Sequence, residues 1–242
     1  PRTGSMPAPQ LPRPNGIPRM PTILITGANR GIGLALTQRY RERGDRVIAV
    51  CRHSSAALAA TGAQVEPGAD VTDDHAVAAL AGRLAGQPID VLVLNAGVLE
   101  RDRLGEIDAA GLAAMRRQFE VNALAPLRVV QALAGNLGPG GRIGIITSRM
   151  GSMADNGSGG YYGYRASKAA VNAIGRSLAM DLRDRGIAVF LLHPGFVATD
   201  MVGGRGDIAP AQAAANLVAR LDGLGPEQTG SFWHADGTPL PW

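Results

Sequence analysis

A chain with 23 arginines has a single lysine, and it stands four residues after a tyrosine, in Tyr164-Arg165-Ala166-Ser167-Lys168. Where arginine serves as the general surface cation, a lone lysine points to a place that needs a compact ammonium rather than a planar guanidinium. The Ala and Leu content and apolar spacing that follow predict a helix over Ala166–Arg185, which sets Tyr164 and Lys168 at i and i+4 on one face. A free phenol titrates near pH ~10, and a cation held beside it lowers that by roughly 1–3 units. The pair is therefore read as a proton-transfer device, provided a cofactor site stands nearby. Without one, the same residues describe a tyrosine packed at a helix start beside a solvated lysine.

Such a site is legible at the start of the folded chain. Thr22-Ile23-Leu24-Ile25 reads as a short apolar strand, running into Thr26-Gly27-Ala28-Asn29-Arg30-Gly31-Ile32-Gly33, and Leu34–Arg43 reads as a helix. In a strand, glycine turn and helix, Gly27 permits the tight turn, Gly31 lets backbone approach a diphosphate, and Gly33 lets helix lie close to strand. The helix N-terminus favours anionic oxygens. The spacing differs from the G-x-G-x-x-G fingerprint. After a second strand at Arg46–Val50 come Cys51 and Arg52, where an acid would select NAD. A base there, with Arg30 as a second cation, predicts NADP(H) in preference to NAD(H). Each arginine alone is equally well read as a solvated surface group.

The other polar candidates recur at strand ends. Gln64–Ala69 is a poor strand followed by Asp70-Val71, with Asp73 as a helix cap. Ile89–Leu94 is a buried strand closing on Asn95-Ala96-Gly97. Residues 104–136 read as helical, interrupted at Gly111 and Pro126, with Asn122 an odd polar residue inside. A strand at Arg142–Thr147 closes on Ser148, and a Gly/Ser-rich loop leads to the tyrosine helix. Ala188–Leu192 ends in His193-Pro194-Gly195, then Val197 and Thr199; Ala209–Asp222 is an amphipathic helix and Ser231–His234 a last strand. Strands alternating with helices predict an α/β class: a doubly wound, Rossmann-type parallel sheet of about seven strands with helices on both faces. Ligands bind such sheets at the carboxyl ends of the strands, where these residues fall.

Composition narrows the function further. Residues 22–242 suit a single domain, and residues 1–21, with seven prolines, read as a disordered or tag-derived tail with Met6 or Met20 as candidate starts. No run of apolar residues reaches the ~18 of a membrane span. The net charge of +4 falls to +1 once Arg2, Arg13 and Arg19 of the tail are set aside, which leaves no footprint for nucleic acid. One cysteine, Cys51, and four scattered histidines predict neither an internal disulfide nor a metal cluster, and suit the cytoplasm.

Together the Thr26–Gly33 turn, Asp70-Val71, Asn95-Ala96-Gly97, Asn122, Ser148, Tyr164 with Lys168, and Pro194-Gly195 resemble the short-chain dehydrogenase/reductase family over about residues 22–242. The tyrosine helix start, Ser148-Arg149-Met150-Gly151-Ser152 and the terminal Asp236-Gly237 and Pro241-Trp242 look most like the C-factor and sniffer-type carbonyl reductases. The resemblance implies hydride transfer between a nicotinamide cofactor and a carbonyl or alcohol. Tyr164 would be acid and base, Lys168 would lower its pKa and hold the nicotinamide ribose, Ser148 would bond the substrate oxygen, and Asn122 would hold a water leading from Lys168 to solvent. It also implies a homodimer or homotetramer, paired through the helices within 104–136 and 164–185, where Ala166, Ala169, Ala170 and Ala173 allow close approach. Two features depart from the pattern. Ser148 lies sixteen residues before Tyr164, where the family's usual spacing falls on Gly151, so Ser152 is a rival. The segment after Thr199 is short and glycine-rich where the family often has a helix pair. A cofactor-binding sensor with little turnover is the alternative function; a serine hydrolase is disfavoured because no G-x-S-x-G elbow is present.

Overall fold

The computed structural model describes residues 20–242, so most of the expected tail lies outside the described residues. Thr22–Thr26 forms β1, and its residues are all buried, as a central parallel strand requires. In chain order follow α1 (Gly31–Glu42), β2 (Arg46–Val50), α2 (Ala56–Ala59), β3 (Gln64–Glu66), α3 (Asp74–Arg83), β4 (Ile89–Leu94) and α4 (Ala109–Phe119). Then come α5 (Ala125–Leu133), β5 (Leu137–Ile146), α6 (Tyr162–Asp181), β6 (Ala188–His193), α7 (Pro210–Gly223) and β7 (Phe232–His234). The seven strands form one parallel sheet in the order β3-β2-β1-β4-β5-β6-β7, the predicted architecture. No described helix is long and apolar enough to cross a membrane, and the described residues hold no group of three or more candidate metal ligands.

Alternation along the strands divides the core in two. Leu24, Ile48, Leu92, Ile143 and Val189 pack against α3, α5 and α6, whereas Ile23, Val47, Val93 and Phe190 pack against α1 and α7. Small residues let these layers close. A Cβ on Gly175 of α6 would stand 2.8 Å from Leu191 Cδ2, and one on Gly144 of β5 2.9 Å from Leu221 Cδ2 of α7.

Several boundaries shift for local reasons. The tyrosine helix begins at Tyr162 rather than Ala166, because Asp102, from the loop after β4, accepts from the N–H groups of Tyr162 and Gly163 and so caps it from outside. β5 starts at Leu137, with a register shift against β4. The helix over the expected 104–136 starts at Ala109, capped by Asp108 onto the N–H of Gly111, so Gly111 is a first-turn residue and not a break. The break is at Pro126, where Glu120–Leu124 widens into a π turn. Proline has no N–H to give to the Asn122 carbonyl four residues earlier, so the α-helical ladder cannot continue.

Candidate active site

A single cavity of about 1210 Å³ opens over the carboxyl ends of the strands and is lined by nearly every residue singled out in the sequence. Gly27, Asn29, Arg30, Gly31, Ile32, Arg52, Asp70 and Val71 line one arm. Asn95, Ala96 and Gly97 form the middle, and Ser148, Tyr164, Lys168, Pro194, Gly195, Val197 and Thr199 the rest. Asn122 and Gly33 are not on the wall.

The floor is buried and tightly bonded. Tyr164 and Lys168 sit one turn apart on α6, both nearly inaccessible, with the lysine Nζ 5.8 Å from the ring centroid of the tyrosine. The Tyr164 hydroxyl hydrogen-bonds Ser148, which stands two residues past the end of β5 and caps the short helical turn Arg149–Gly151. Ser152, the rival, is buried off the cavity wall and accepts from the N–H of Asp155 at 3.1 Å. The lysine Nζ donates to the Ile146 carbonyl at 2.9 Å, and burial lowers its pKa to about 8. The lysine was expected to bring the phenol down, and among these residues it does not. Burial pushes Tyr164 up to about 12, with only the Ser148 hydrogen bond acting against it. Removing a phenolate from water outweighs the one neighbour that stabilises it.

The Asn122 side chain is taken up by protein partners. Its Nδ2 donates to the Val98 carbonyl at 2.8 Å and to Ser167 Oγ at 3.0 Å, and its Oδ1 accepts from the Val98 N–H at 2.8 Å. Ser167 Oγ in turn donates to the Tyr164 carbonyl at 2.8 Å. Both amide donors are spent on fixing the loop after β4 to the tyrosine helix, so the side chain is a clamp rather than a water holder.

In the arm around the glycine turn, the backbone path requires the glycines. Gly27 (φ +67°) and Gly31 (φ +53°) occupy the left-handed region, and a Cβ on Gly33 would stand 2.2 Å from the Gly27 carbonyl oxygen. Asn95 Nδ2 donates to the carbonyls of Thr26 and Gly27, at 3.1 and 3.2 Å, so it braces the turn from below. Side chains cap the N-termini of α2, α3 and α4 (Ser55, Asp73 and Asp108), and Asp102 caps α6. The first turn of α1 has no side-chain cap and no acid and faces the cavity, which suits a diphosphate. Arg30 and Arg52 are exposed on the rim of this arm; Arg30 is 3.6 Å from Asp200. Asp70 Oδ1 accepts from the Thr72 N–H and hydroxyl, which, against the opposing effect of burial, hold its carboxyl below the usual range.

Sequence reasoning missed part of the wall. Leu99, Arg101, Tyr161, Phe196, Met201 and Arg205 come from loops and short turns without periodicity or motif, Arg149 and Met150 from the turn after Ser148, and His234 from the end of β7. His193 stands edge-on to His234, with centroids 4.9 Å apart, and burial together with the nearby cations lowers its pKa to about 3. Tyr161 is the one described non-glycine residue at positive φ (+53°), a signal invisible in sequence.

Comparison with known proteins identifies the family. The short chain dehydrogenase family model matches residues 21–208. The 1-hydroxy-2-glutathionyl-2-methyl-3-butene dehydrogenase of Rhodococcus sp. (strain AD45) is 46% identical, over 92% of this chain and 100% of that protein. The C-signal of Myxococcus xanthus is 44% identical, over 68% of this chain and 99% of that one. The structure of an NADPH-bound carbonyl reductase from chicken fatty liver superposes with a TM-score of 0.83 at 29% identity, covering 93% of this chain and 100% of that chain. The chain belongs to the short chain dehydrogenase family of oxidoreductases.

Proposed function

We propose that this member of the short chain dehydrogenase family is an NADP-dependent oxidoreductase that interconverts a carbonyl compound and its alcohol, with Tyr164 as the acid and base. The observation that carries the reading is the buried Ser148–Tyr164–Lys168 floor at one end of a cavity whose other end has an uncapped helix start and two exposed arginines. The nicotinamide cofactor would supply or accept the hydride. Gly27, Gly31 and the first-turn amides of α1 would hold its diphosphate, Arg52 and Arg30 its 2′-phosphate, and Asp70 with Val71 its adenine. Pro194, Gly195, Val197 and Thr199 would form the wall at the nicotinamide end.

In reduction Tyr164 gives its proton to the substrate oxygen while Ser148 donates a hydrogen bond to the same atom. A phenol raised to about 12 is fully protonated at working pH, the state that reduction needs. Lys168 then replaces the proton. Its ammonium, lowered to about 8, parts with a proton more readily than an exposed lysine. A water on the Asn122 main-chain carbonyl, which Pro126 denies its usual donor, would connect the lysine to solvent. In oxidation the same atoms run in reverse. The name of the Rhodococcus relative points to an alcohol borne on a glutathione thioether as one substrate to try. The test is depletion of NADPH and of NADH with a panel of aldehydes, ketones, quinones and such thioethers. Turnover of none of them with either cofactor would reject the reading and favour a sensor.

A homodimer or homotetramer also fits. Leu112, Phe119, Leu124 and Leu127 of α4, α5 and the π turn between them are exposed, as are Ala166, Ala173 and Met180 of α6, while Ala170 packs against the core. Light scattering should exceed the 25.0 kDa of one chain at micromolar concentration; a monomer would refute the pairing.

A further inference from the structure

The end of the cavity beyond Tyr164 has two kinds of wall. Leu99, Met150, Tyr161, Phe196 and Met201 are apolar or aromatic, and two guanidiniums, Arg101 and Arg149, stand among them. Both arginines are held where they are by the tyrosine helix itself. Arg101 precedes Asp102, whose carboxylate caps α6 and whose carbonyl accepts from the Tyr161 N–H at 3.1 Å. Arg149 follows Ser148 in a short helical turn pressed on α6, where a Cβ on Gly151 would stand 2.7 Å from the Lys168 carbonyl carbon. The two cations thus flank the N-terminal turn that presents the phenol.

Their partners differ from those of Arg30 and Arg117 on the same wall. Arg30 meets Asp200, and Arg117 meets Glu100. Arg149 meets Asp155, Nε to Oδ2 at 3.2 Å, and its side chain is about half exposed. Arg101 has neither an ion pair nor a side-chain hydrogen bond among the described residues. Asp102 already occupies the amides at the start of α6, so an anion arriving here has the guanidiniums to meet rather than the helix end. A backbone strained at Tyr161, where glycine would sit more easily, puts an aromatic residue on the same wall, just before the tyrosine helix.

We infer that the substrate carries a carboxylate, received by Arg101 and Arg149 at the mouth, with an apolar stem along Leu99, Met150 and Tyr161 leading to the reacting carbon at Tyr164. This rests on the oxidoreductase reading for its direction but not for its binding. An Arg fork matches a carboxylate in two parallel hydrogen bonds, whereas an ester or amide offers no charge to it.

The test compares the semialdehydes of succinic, adipic and azelaic acid, each with its methyl ester, in the NADPH-dependent reaction. In parallel, calorimetry measures binding of the monomethyl and dimethyl esters of the same three diacids, which cannot react. In both assays the acid of the fitting chain length should outdo its ester about five- to tenfold, the low end for a charge-assisted contact because both guanidiniums are exposed. The preference should appear for one chain length above the others and shrink as salt rises. In Arg101→Gln the ratio of acid to ester should fall to about one to two, and Arg101→Lys should restore part of it. Equal binding of half-ester and diester by the parent at all three chain lengths, or a ratio that survives in both Arg101→Gln and Arg149→Gln, would overturn the proposal. A binding preference without turnover of any semialdehyde would uphold the carboxylate site and count instead against the redox reading.

Discussion

The two ends of this cavity are built on opposite principles. At the floor, Ser148, Tyr164, Lys168 and the Asn122 clamp are buried and bonded to one another or to backbone. At the rim, Arg30, Arg52, Arg101 and Arg149 reach into solvent with few or single partners. A buried group without its partner has nothing to replace it, whereas an exposed cation has water. The floor should therefore respond to single-atom changes, and the rim should change affinity by modest factors.

The largest effect should come from the floor. Tyr164→Phe removes the transferred proton, and Lys168→Arg replaces a compact ammonium by a fork aimed differently. Each should cut turnover about a hundredfold or more, with circular dichroism unchanged. Near-parental turnover of Lys168→Arg across neutral pH would erase the distinction between floor and rim.

Asn122→Ala should be felt in stability before activity, because it removes the partner of the half-buried Val98 N–H and carbonyl and of the buried Ser167 hydroxyl. A loss of ~2–4 kcal/mol in urea unfolding is expected; a variant as stable as the parent would show that the clamp is dispensable.

The pH dependence sharpens the contrast. With the Lys168 pKa lowered to about 8, the ammonium that resupplies Tyr164 is present below that pH and lost above it, so the reductive rate should fall as pH rises through about 8. The tyrosine, at about 12, contributes no limb in that range. A reductive rate that stays level from neutrality to well above pH 8 would put the proton supply elsewhere.

The smallest effect belongs to the rim. Arg52→Ala should weaken NADPH about tenfold and leave NADH nearly unchanged, by titration of both cofactors. Equal affinities for the two in the parent would reject the 2′-phosphate assignment.

How much of this was legible in sequence follows from range. The glycine turn, the tyrosine and lysine one helical turn apart, and the parallel α/β sheet depend on contacts within a few residues or on periodicity, and the chain states these directly. Gly27, Gly31 and Gly33 are needed because of the backbone path, and the structure finds them so. What the tertiary structure decided are contacts between distant segments. Asp102 starts α6 four residues earlier than its apolar spacing shows, Ser148 rather than Ser152 reaches the phenol, and Asn122 reaches Val98 and Ser167 instead of the cavity. The Tyr164 pKa belongs to the same class. A cation four residues away is a local fact, but the burial that outweighs it is imposed by every element closing around α6, and no window of sequence contains it.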